Sequence, residues 1–493
     1  MSNKDNNTLQ TFWVLAGSLA AFSFSIISSM ILSRYFDKSD YGTYKQVMYV
    51  YSTFLIIFTL GLPKAFSYFL PRVEKNQAKS LISKINMVLI TLGVLMSLFI
   101  FLGADIIASA LNNKDLAKPL KYFALVPLFM LPTMGLEGIL ATYKRTKFLA
   151  YYNISTRILM LLCVVLPVLV FKGNVNSAII GFTVASFFSF LLALYFKFLP
   201  LKNEVKNITD VKYKEILQYT IPIMFAGIWG IVARSSDQFF ISRYFGNEVF
   251  ADFANGSLEL PFITMIISAT AIVLSPIFSK KIFDNGENLK NEIITLWLSV
   301  FSKSAKLIYP LVIFFFCFAD IFMVLLYGEK YVSSGIYFRI KLIVNLFTLI
   351  AYGPLILNIG GQKFYYKAHM YSAFIVVFLE WISVYTIKSP IAIALISVIC
   401  QIGKIFVMLW FVSRYFKIKL VDLFPVKLIA NLIIPSVLIL SLTRYFMIEY
   451  FDNNIIILSV SALIYLLLMT GWIVYKKIDY YSIIKPILSK LKK

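Results

Sequence analysis

Few residues in this chain are of a kind that could do chemistry, and those few stand inside apolar runs. Arg157, Arg234 and Lys404 are cations within hydrophobic segments, and Lys64 follows a Gly61-Leu62-Pro63 break. Glu137, Asp237, Glu259 and Glu380 are their acidic counterparts, and His369 is the single histidine. An ionisable group in hydrocarbon is costly unless paired or hydrated, so such groups face a cavity or a partner. The chemistry these types suit is anion binding, because a guanidinium presents a planar donor fork that matches phosphate oxygens. Arg234 and Asp237 are three residues apart and share a helix face. Two readings fit them: a self-neutralising pair, or an Arg234 that faces a cavity and takes a phosphate. Arg157 lies about one to two turns inside its run, where it lines a cavity or snorkels to the nearer surface. Lys404, in Gln401-Ile402-Gly403-Lys404, sits deeper in its span. His369 reads as a residue near a span end rather than as a proton switch. Nothing points to bond-making: there is no phosphate-cradling glycine loop, metal-ligand cluster or nucleophile motif. The expectation is a protein with no cofactor, no metal and no enzymatic chemistry.

The elements that position these residues follow from composition. The chain has 493 residues, 60% hydrophobic and only 14% charged, with a mean hydropathy of +0.81. Soluble proteins carry roughly 25% charged residues, so lipid must solvate this one. Fourteen apolar runs are long enough to cross a bilayer as helices: 11–33, 44–70, 82–110, 119–142, 148–171, 175–199, 215–243, 248–279, 293–319, 336–358, 364–387, 390–412, 424–446 and 454–475. Breaks are expected at Gly61-Leu62-Pro63, at Pro127 with Pro132, at Pro222, at Pro261 and at Gly353-Pro354. Broken helices are tolerated where neighbours or a wet cavity satisfy the backbone. Cys163, Cys317 and Cys400 stand apart in apolar runs and read as small core residues.

The net charge of +23 does not call for nucleic acid. Most of the 47 Lys and Arg, Lys144, Arg145, Lys147 and Lys197 among them, fall on one side when the spans alternate. That side is the cytoplasm by the positive-inside rule, with both termini in it. The first ten residues are polar, and no cleavable leader is expected.

A repeat organises the spans. Ile31-Leu-Ser-Arg-Tyr-Phe36 matches Phe240-Ile-Ser-Arg-Tyr-Phe245 at an offset of 209. The same offset pairs Tyr41 with Phe250, Tyr44 with Phe253, Phe69 with Phe278 and Arg72 with Lys281. Thr146-Lys147-Phe148 matches Gln362-Lys363-Phe364 at 216, and each opens the fifth span of its half. Six spans is an even number, so the halves are parallel repeats. The domain expectation is a six-helix lobe at 1–203, a second at 204–416, and two additional helices with a tail at 417–493. The positions equivalent to Arg234 and Asp237 are Ser25 and Ser28, so the charge is one-sided.

Two segments carry a family likeness. Leu32-Ser-Arg-Tyr-Phe-Asp-Lys-Ser-Asp-Tyr-Gly-Thr-Tyr44 resembles the opening signature of the Wzx-type polysaccharide biosynthesis flippases. Ser235-Ser-Asp-Gln-Phe-Phe-Ile-Ser-Arg-Tyr-Phe-Gly246 is similar to that family's span-seven motif, with Gln238 in place of the usual Arg and the basic residue one turn earlier at Arg234. The family belongs to the multidrug/oligosaccharidyl-lipid/polysaccharide exporter superfamily. The resemblance implies an all-α membrane protein with two pseudo-symmetric six-helix bundles around a cavity that opens alternately. It implies a flippase for undecaprenyl-pyrophosphate-linked repeat units of O-antigen, capsule or exopolysaccharide, in the bacterial inner membrane. Driving force is expected from a proton or sodium gradient or from consumption of product outside. A polysaccharide polymerase and a chain-length regulator are the expected partners. The rivals within the superfamily are a peptidoglycan lipid precursor flippase and a cation-coupled drug exporter. Substrate cations under this implication are Arg234, Arg157, Lys404 and Lys64; Asp237, Glu259, Glu137 and Glu380 are charge partners or coupling groups.

Overall fold

A chain this apolar has to satisfy its backbone polar groups within each segment once it enters lipid, and the helix is the element that does so. A computed structural model describes residues 3–284, 288–481 and 483, and among these only helices, turns and connecting segments occur. Thirteen helical stretches among the described residues are long and apolar enough to cross a membrane. The protein is an all-α membrane protein with about fourteen spans, as its apolar runs predict. The expected span at 336–358 is not among the thirteen because it is broken into α14 and α15, defined below.

The helices pack as two compact units, Met1–Ala251 and Asp252–Lys493. The first contains α1 (Asn3–Tyr35), α2 (Lys38–Thr59), α3 (Pro63–Phe69), α4 (Lys75–Ala110), α5 (Ala117–Phe123), α6 (Val126–Met130), α7 (Leu136–Thr142), α8 (Thr146–Val170), α9 (Val175–Phe198) and most of α10 (Tyr213–Gly256). The second contains the tail of α10, then α11 (Pro261–Asp284), α12 (Leu289–Cys317), α13 (Ala319–Tyr327), α14 (Ser334–Ile343), α15 (Gly353–Asn358), α16 (Gln362–Thr386), α17 (Pro390–Phe416), α18 (Val426–Tyr450) and α19 (Asn454–Tyr475). The packing boundary at 251/252 falls inside α10, whereas the repeat begins its second half before that helix.

Local chemistry sets the helix ends. Asp37 caps α2 by accepting from the Asp40 backbone N–H at 2.7 Å, and Asn453 does the same for two amides of α19. Such caps satisfy N–H groups that have no intrahelical partner. The Gly61-Leu62-Pro63 break is present: α2 ends at Thr59, and α3 starts at Pro63. Span four is interrupted at both prolines, with a 3-10 turn over Leu131–Thr133 and Gly135 at φ 80°. Pro261 and Gly353-Pro354 open α11 and α15. Pro222 differs from expectation, since α10 runs through it as a helix. The lost N–H bond there is tolerated, as it commonly is in membrane helices. The real kink in α10 is at Gly246, whose φ of 86° and ψ of 170° suit glycine.

Small residues let the first unit's helices close on one another. A Cβ on Gly17 would stand 2.9 Å from the Ala150 Cα, and one on Gly181 would stand 1.9 Å from the Cys163 carbonyl oxygen. These contacts seat α1 and α9 on either side of α8.

The two segments that carry the family likeness pack on each other within the first unit. Gln46 donates to the Ser242 hydroxyl at 2.7 Å, and Tyr49 OH donates to the Ser235 carbonyl at 3.2 Å. Asn247 donates to the Ser39 hydroxyl at 2.7 Å. Asn113 closes the network by donating to Gln46 Oε1 at 2.6 Å and to the Thr43 hydroxyl at 2.9 Å. Arg243, from the repeated Ser-Arg-Tyr-Phe string, donates to the Ala110 carbonyl at 2.8 Å, so it caps the C-terminus of α4.

Each unit has its own polar ties. Asp105 pairs with Lys121 at 2.8 Å in the first, and Asp320 pairs with Arg339 at 2.9 Å in the second. Thr43 meets Asn113 in the first. Asp252, its equivalent at offset 209, accepts from Ser334 at 3.1 Å in the second. Arg444 adds a bidentate bond to Asp320 at 2.8 and 2.6 Å and donates to the Cys317 carbonyl, fixing α18 to this corner.

Candidate functional site

Arg157, Arg234, Asp237, Glu380 and Lys404 are presented by long helices, so their direction is set by helix phase. On α10, Arg234 is exposed whereas Asp237 is fully buried. Three residues turn a helix by 300°, enough to put one side chain on an open surface and the other inside the packing. The Asp237 carboxylate accepts from the Gln238 backbone N–H at 2.7 Å. The two residues therefore share a helix side but not an environment.

Arg157 is exposed on α8, and its charge acts on the Tyr51 and Tyr152 hydroxyls. Lys64 is exposed in the first turn of α3, and Glu137 is exposed in the first turn of α7. These two short helices touch: a Cβ on Gly138 would stand 2.4 Å from Ser67 Oγ. Arg157, Arg234 and Lys64 thus all stand in the first unit as exposed residues, on three different helices.

Lys404 lies in the second unit, half-buried on α17, with its ammonium in electrostatic range of the His369 imidazole on α16. The His369 ring packs against Tyr365 with centroids 4.5 Å apart. Ser397, Gln401 and Lys404 are spaced i, i+4, i+7 and form one polar stripe along α17. Gln401 donates to the Ser397 hydroxyl at 3.3 Å, and Lys341 of α14 donates to the same oxygen at 3.2 Å. Glu380 is fully buried on α16, close enough to Cys400 of α17 for its charge to act on the thiol. Glu259 is exposed in the non-helical stretch between α10 and α11 rather than inside a helix.

Three lysines have roles that sequence reasoning missed. Lys197 falls in the basic flank of span six, yet it is fully buried. Its ammonium donates to Asn86 Oδ1 at 3.0 Å, the Pro132 carbonyl at 2.6 Å and the Met134 carbonyl at 2.8 Å. Three donors meet three acceptors, and the Phe66 ring lies 4.8 Å away. Lys197 is a staple across the broken span four. Lys45 lies between α1 and α2, 3.5 Å from the Ser29 hydroxyl and 5.1 Å from the Tyr41 ring centre. Lys341 sits on the α17 stripe and 5.1 Å from the Phe253 ring centre. The signal available for all three was their position inside an apolar run, 44–70, 175–199 and 336–358.

Long apolar helices that carry exposed cations in the first unit and a polar stripe in the second make this a polytopic all-α membrane protein. The chain belongs to the polysaccharide biosynthesis protein family, whose pattern it matches over residues 31–335, well over half its length. Among solved structures it is similar to lipid II flippase MurJ in an inward closed conformation, at 15% identity and a TM-score of 0.70, covering 95% of this chain and 99% of that one. It is also similar to an inward-facing multidrug resistance MATE family transporter of the MOP superfamily, at 13% identity and a TM-score of 0.64, covering 80% and 94%. A MOP superfamily transporter from Pyrococcus furiosus, described as having a binding pocket of reversed polarity, aligns at 13% identity with a TM-score of 0.58, covering 84% and 96%. No curated protein matches the chain significantly.

Proposed function

We propose that the protein is a flippase that moves an undecaprenyl-pyrophosphate-linked oligosaccharide from the cytoplasmic to the outer leaflet of a bacterial cytoplasmic membrane. The observation that carries this reading is the family match over residues 31–335. The charges agree with it. A sugar–pyrophosphate head cannot cross hydrocarbon unaided, and exposed guanidinium groups at Arg157 and Arg234 offset the desolvation of its phosphates. Lys404 serves the same end in the second unit, and Lys64 stands at the cytoplasmic mouth. Asp237, Glu137, Glu259 and Glu380 set the local charge balance or couple transport to a proton or sodium gradient. The polyprenyl tail stays in lipid while the repeats alternate access. The lysine-rich flanks, with both termini, face the cytoplasm. A polymerase and a chain-length regulator consume the product outside.

The likeness to a lipid II flippase over 95% of the chain favours a second reading, a peptidoglycan lipid precursor as the cargo. A drug exporter for organic cations fits less well, since three of the four exposed candidate charges in the first unit, Arg157, Arg234 and Lys64 against Glu137, are positive. Deleting the gene separates these readings. Accumulation of lipid-linked repeat units in the inner leaflet, with loss of surface polysaccharide, supports the first; arrested cell-wall synthesis supports the second. Unchanged surface polysaccharide and cell wall would overturn both.

A further inference from the structure

At the cytoplasmic end of span two, three flat groups are stacked. The Arg72 guanidinium carbon lies 3.3 Å from the centre of the Tyr68 ring, and the Tyr219 ring stacks on Tyr68 with centroids 3.9 Å apart at 21°. Two groups this close to one ring cannot share a face, so Tyr68 is sandwiched between them. Stacking occupies only the flat face of a guanidinium and leaves its N–H edges directed outward. Arg72 is exposed, and among the described residues its side chain has no hydrogen bond or ion pair. Lys64 is exposed one turn before Tyr68, at the i, i+4 spacing that puts both on one side of α3. Of the nearby carboxylates, Glu74 accepts from the Asn76 amide, and Glu215 accepts from the Lys212 backbone N–H.

The repeat supplies an internal control. Offset 209 pairs Arg72 with Lys281 and Tyr68 with Ile277. Lys281 is neutralised by Glu292, and among the described residues no ring stacks on it. The first half keeps a fixed, unneutralised arginine where the second half has a paired lysine. A structural anchor at a span end needs neither the stack nor the open charge.

We propose that Arg72, held by Tyr68 and Tyr219 and joined by Lys64, is a loading site that recognises the diphosphate of an incoming sugar diphosphate before it enters the membrane. This rests on the reading of the protein as a flippase for diphosphate-linked sugars. Arg72 supplies the fork that bridges two phosphate oxygens, the aromatic pair fixes its plane, and Lys64 adds a second positive charge. The same diphosphate chemistry occurs in a lipid-linked sugar and in a free nucleotide sugar.

The test is calorimetric titration of the full-length protein in phosphatidylcholine nanodiscs with inorganic pyrophosphate. Arg72→Gln and Tyr68→Leu should each weaken binding about tenfold or more. Tyr68→Phe, which keeps the stack, and Lys281→Gln should bind as the unaltered protein does. Equal binding by Arg72→Gln, or an equal loss in Lys281→Gln, overturns the site. Inorganic phosphate binding as tightly as pyrophosphate also overturns it. Competition by a uridine diphosphate sugar at equal strength assigns the site to the head group alone. Stronger competition by a short-chain prenyl diphosphate sugar assigns it to the lipid-linked form. Nanodiscs containing phosphatidylglycerol that abolish the pyrophosphate signal would mean an acidic lipid is the ligand, against the proposal. If Arg72→Gln loses pyrophosphate while gene deletion leaves surface polysaccharide and cell wall intact, the site stands and the flippase reading falls. If Arg72→Gln binds normally while deletion traps lipid-linked sugars inside, the reverse holds.

Discussion

Asn247 approaches Gly42 so closely that a Cβ on the glycine would stand 2.1 Å from the Asn247 carbonyl oxygen. The obstruction is backbone, which cannot rotate away, and it lies directly beside the bonds among Ser39, Thr43, Gln46 and Asn113. Gly42→Ala should therefore force α2 and α10 apart. Overpacking of this kind costs about 1–3 kcal/mol, seen as a lower melting temperature of the purified protein. Gly471→Ala, with nothing within 4 Å of its Cβ, should be neutral or raise stability by up to ~1 kcal/mol through helix propensity. Equal melting of the Gly42→Ala and unaltered proteins would contradict this close crossing.

Lys197→Met should be more harmful than an ordinary lysine change. It removes three donors at once and strands the carbonyls of Pro132 and Met134 with Asn86 Oδ1. Each buried acceptor left without a partner costs roughly 1–3 kcal/mol. The expected result is a sharply reduced yield of monodisperse protein and a lower melting point. Lys118→Ala, on an exposed side chain, should stay within about 0.5 kcal/mol of the parent. Matching melts for the two variants would remove Lys197 from this role.

The Asp320 cluster predicts a response to acid. Burial pushes the Asp320 carboxyl up, but the Arg444 hydrogen bond and the charges of Arg444 and Arg339 more than offset that and hold it below its ordinary value. A depressed carboxylate contributes stability above its unfolded pKa, and that contribution is lost as pH falls through the folded value. Asp320→Asn should melt lower than the parent at pH 7, and the gap should narrow in the acid range below about pH 4. A gap that stays constant down to pH 3 would show that ionised Asp320 is not what the arginines need.

Transport should depend on the exposed intramembrane cations. Arg234→Ala and Arg157→Ala, at normal protein level, should cut surface polysaccharide by roughly tenfold or more, the scale set by losing a charged hydrogen bond of about 1.5–3 kcal/mol. Lys404→Ala tests the second unit in the same way. Full complementation by Arg234→Ala would exclude that residue from the cargo path.

The fold was legible because the length of its apolar runs obeys simple bilayer physics. Breaks marked by proline beside glycine, as at Gly61-Leu62-Pro63, were legible too, since two local penalties coincide. Pro222 misled because a single proline in a long membrane helix is tolerated. The break at Gly246 was legible as the gap between the apolar runs 215–243 and 248–279. Burial was the least readable property: Lys197 and Lys144 are the same residue type near span ends, yet one is enclosed and the other exposed. Arg234 and Asp237 show the related difficulty. Their spacing was readable, but which of them entered the packing depended on neighbours far away in sequence.

The mismatch inside α10 bears on how the protein is made. The first unit is not complete when its own six spans have left the ribosome. Gln46, Tyr49 and Ser39 receive partners only after Ser235, Ser242 and Asn247 have been synthesised and inserted. A gene cut at the repeat boundary would yield a first fragment lacking those partners, and a cut at the packing boundary would sever the short helical stretch that follows Gly246. The six-span unit visible in the sequence can be copied as a block of code, but it is not a block that matures by itself.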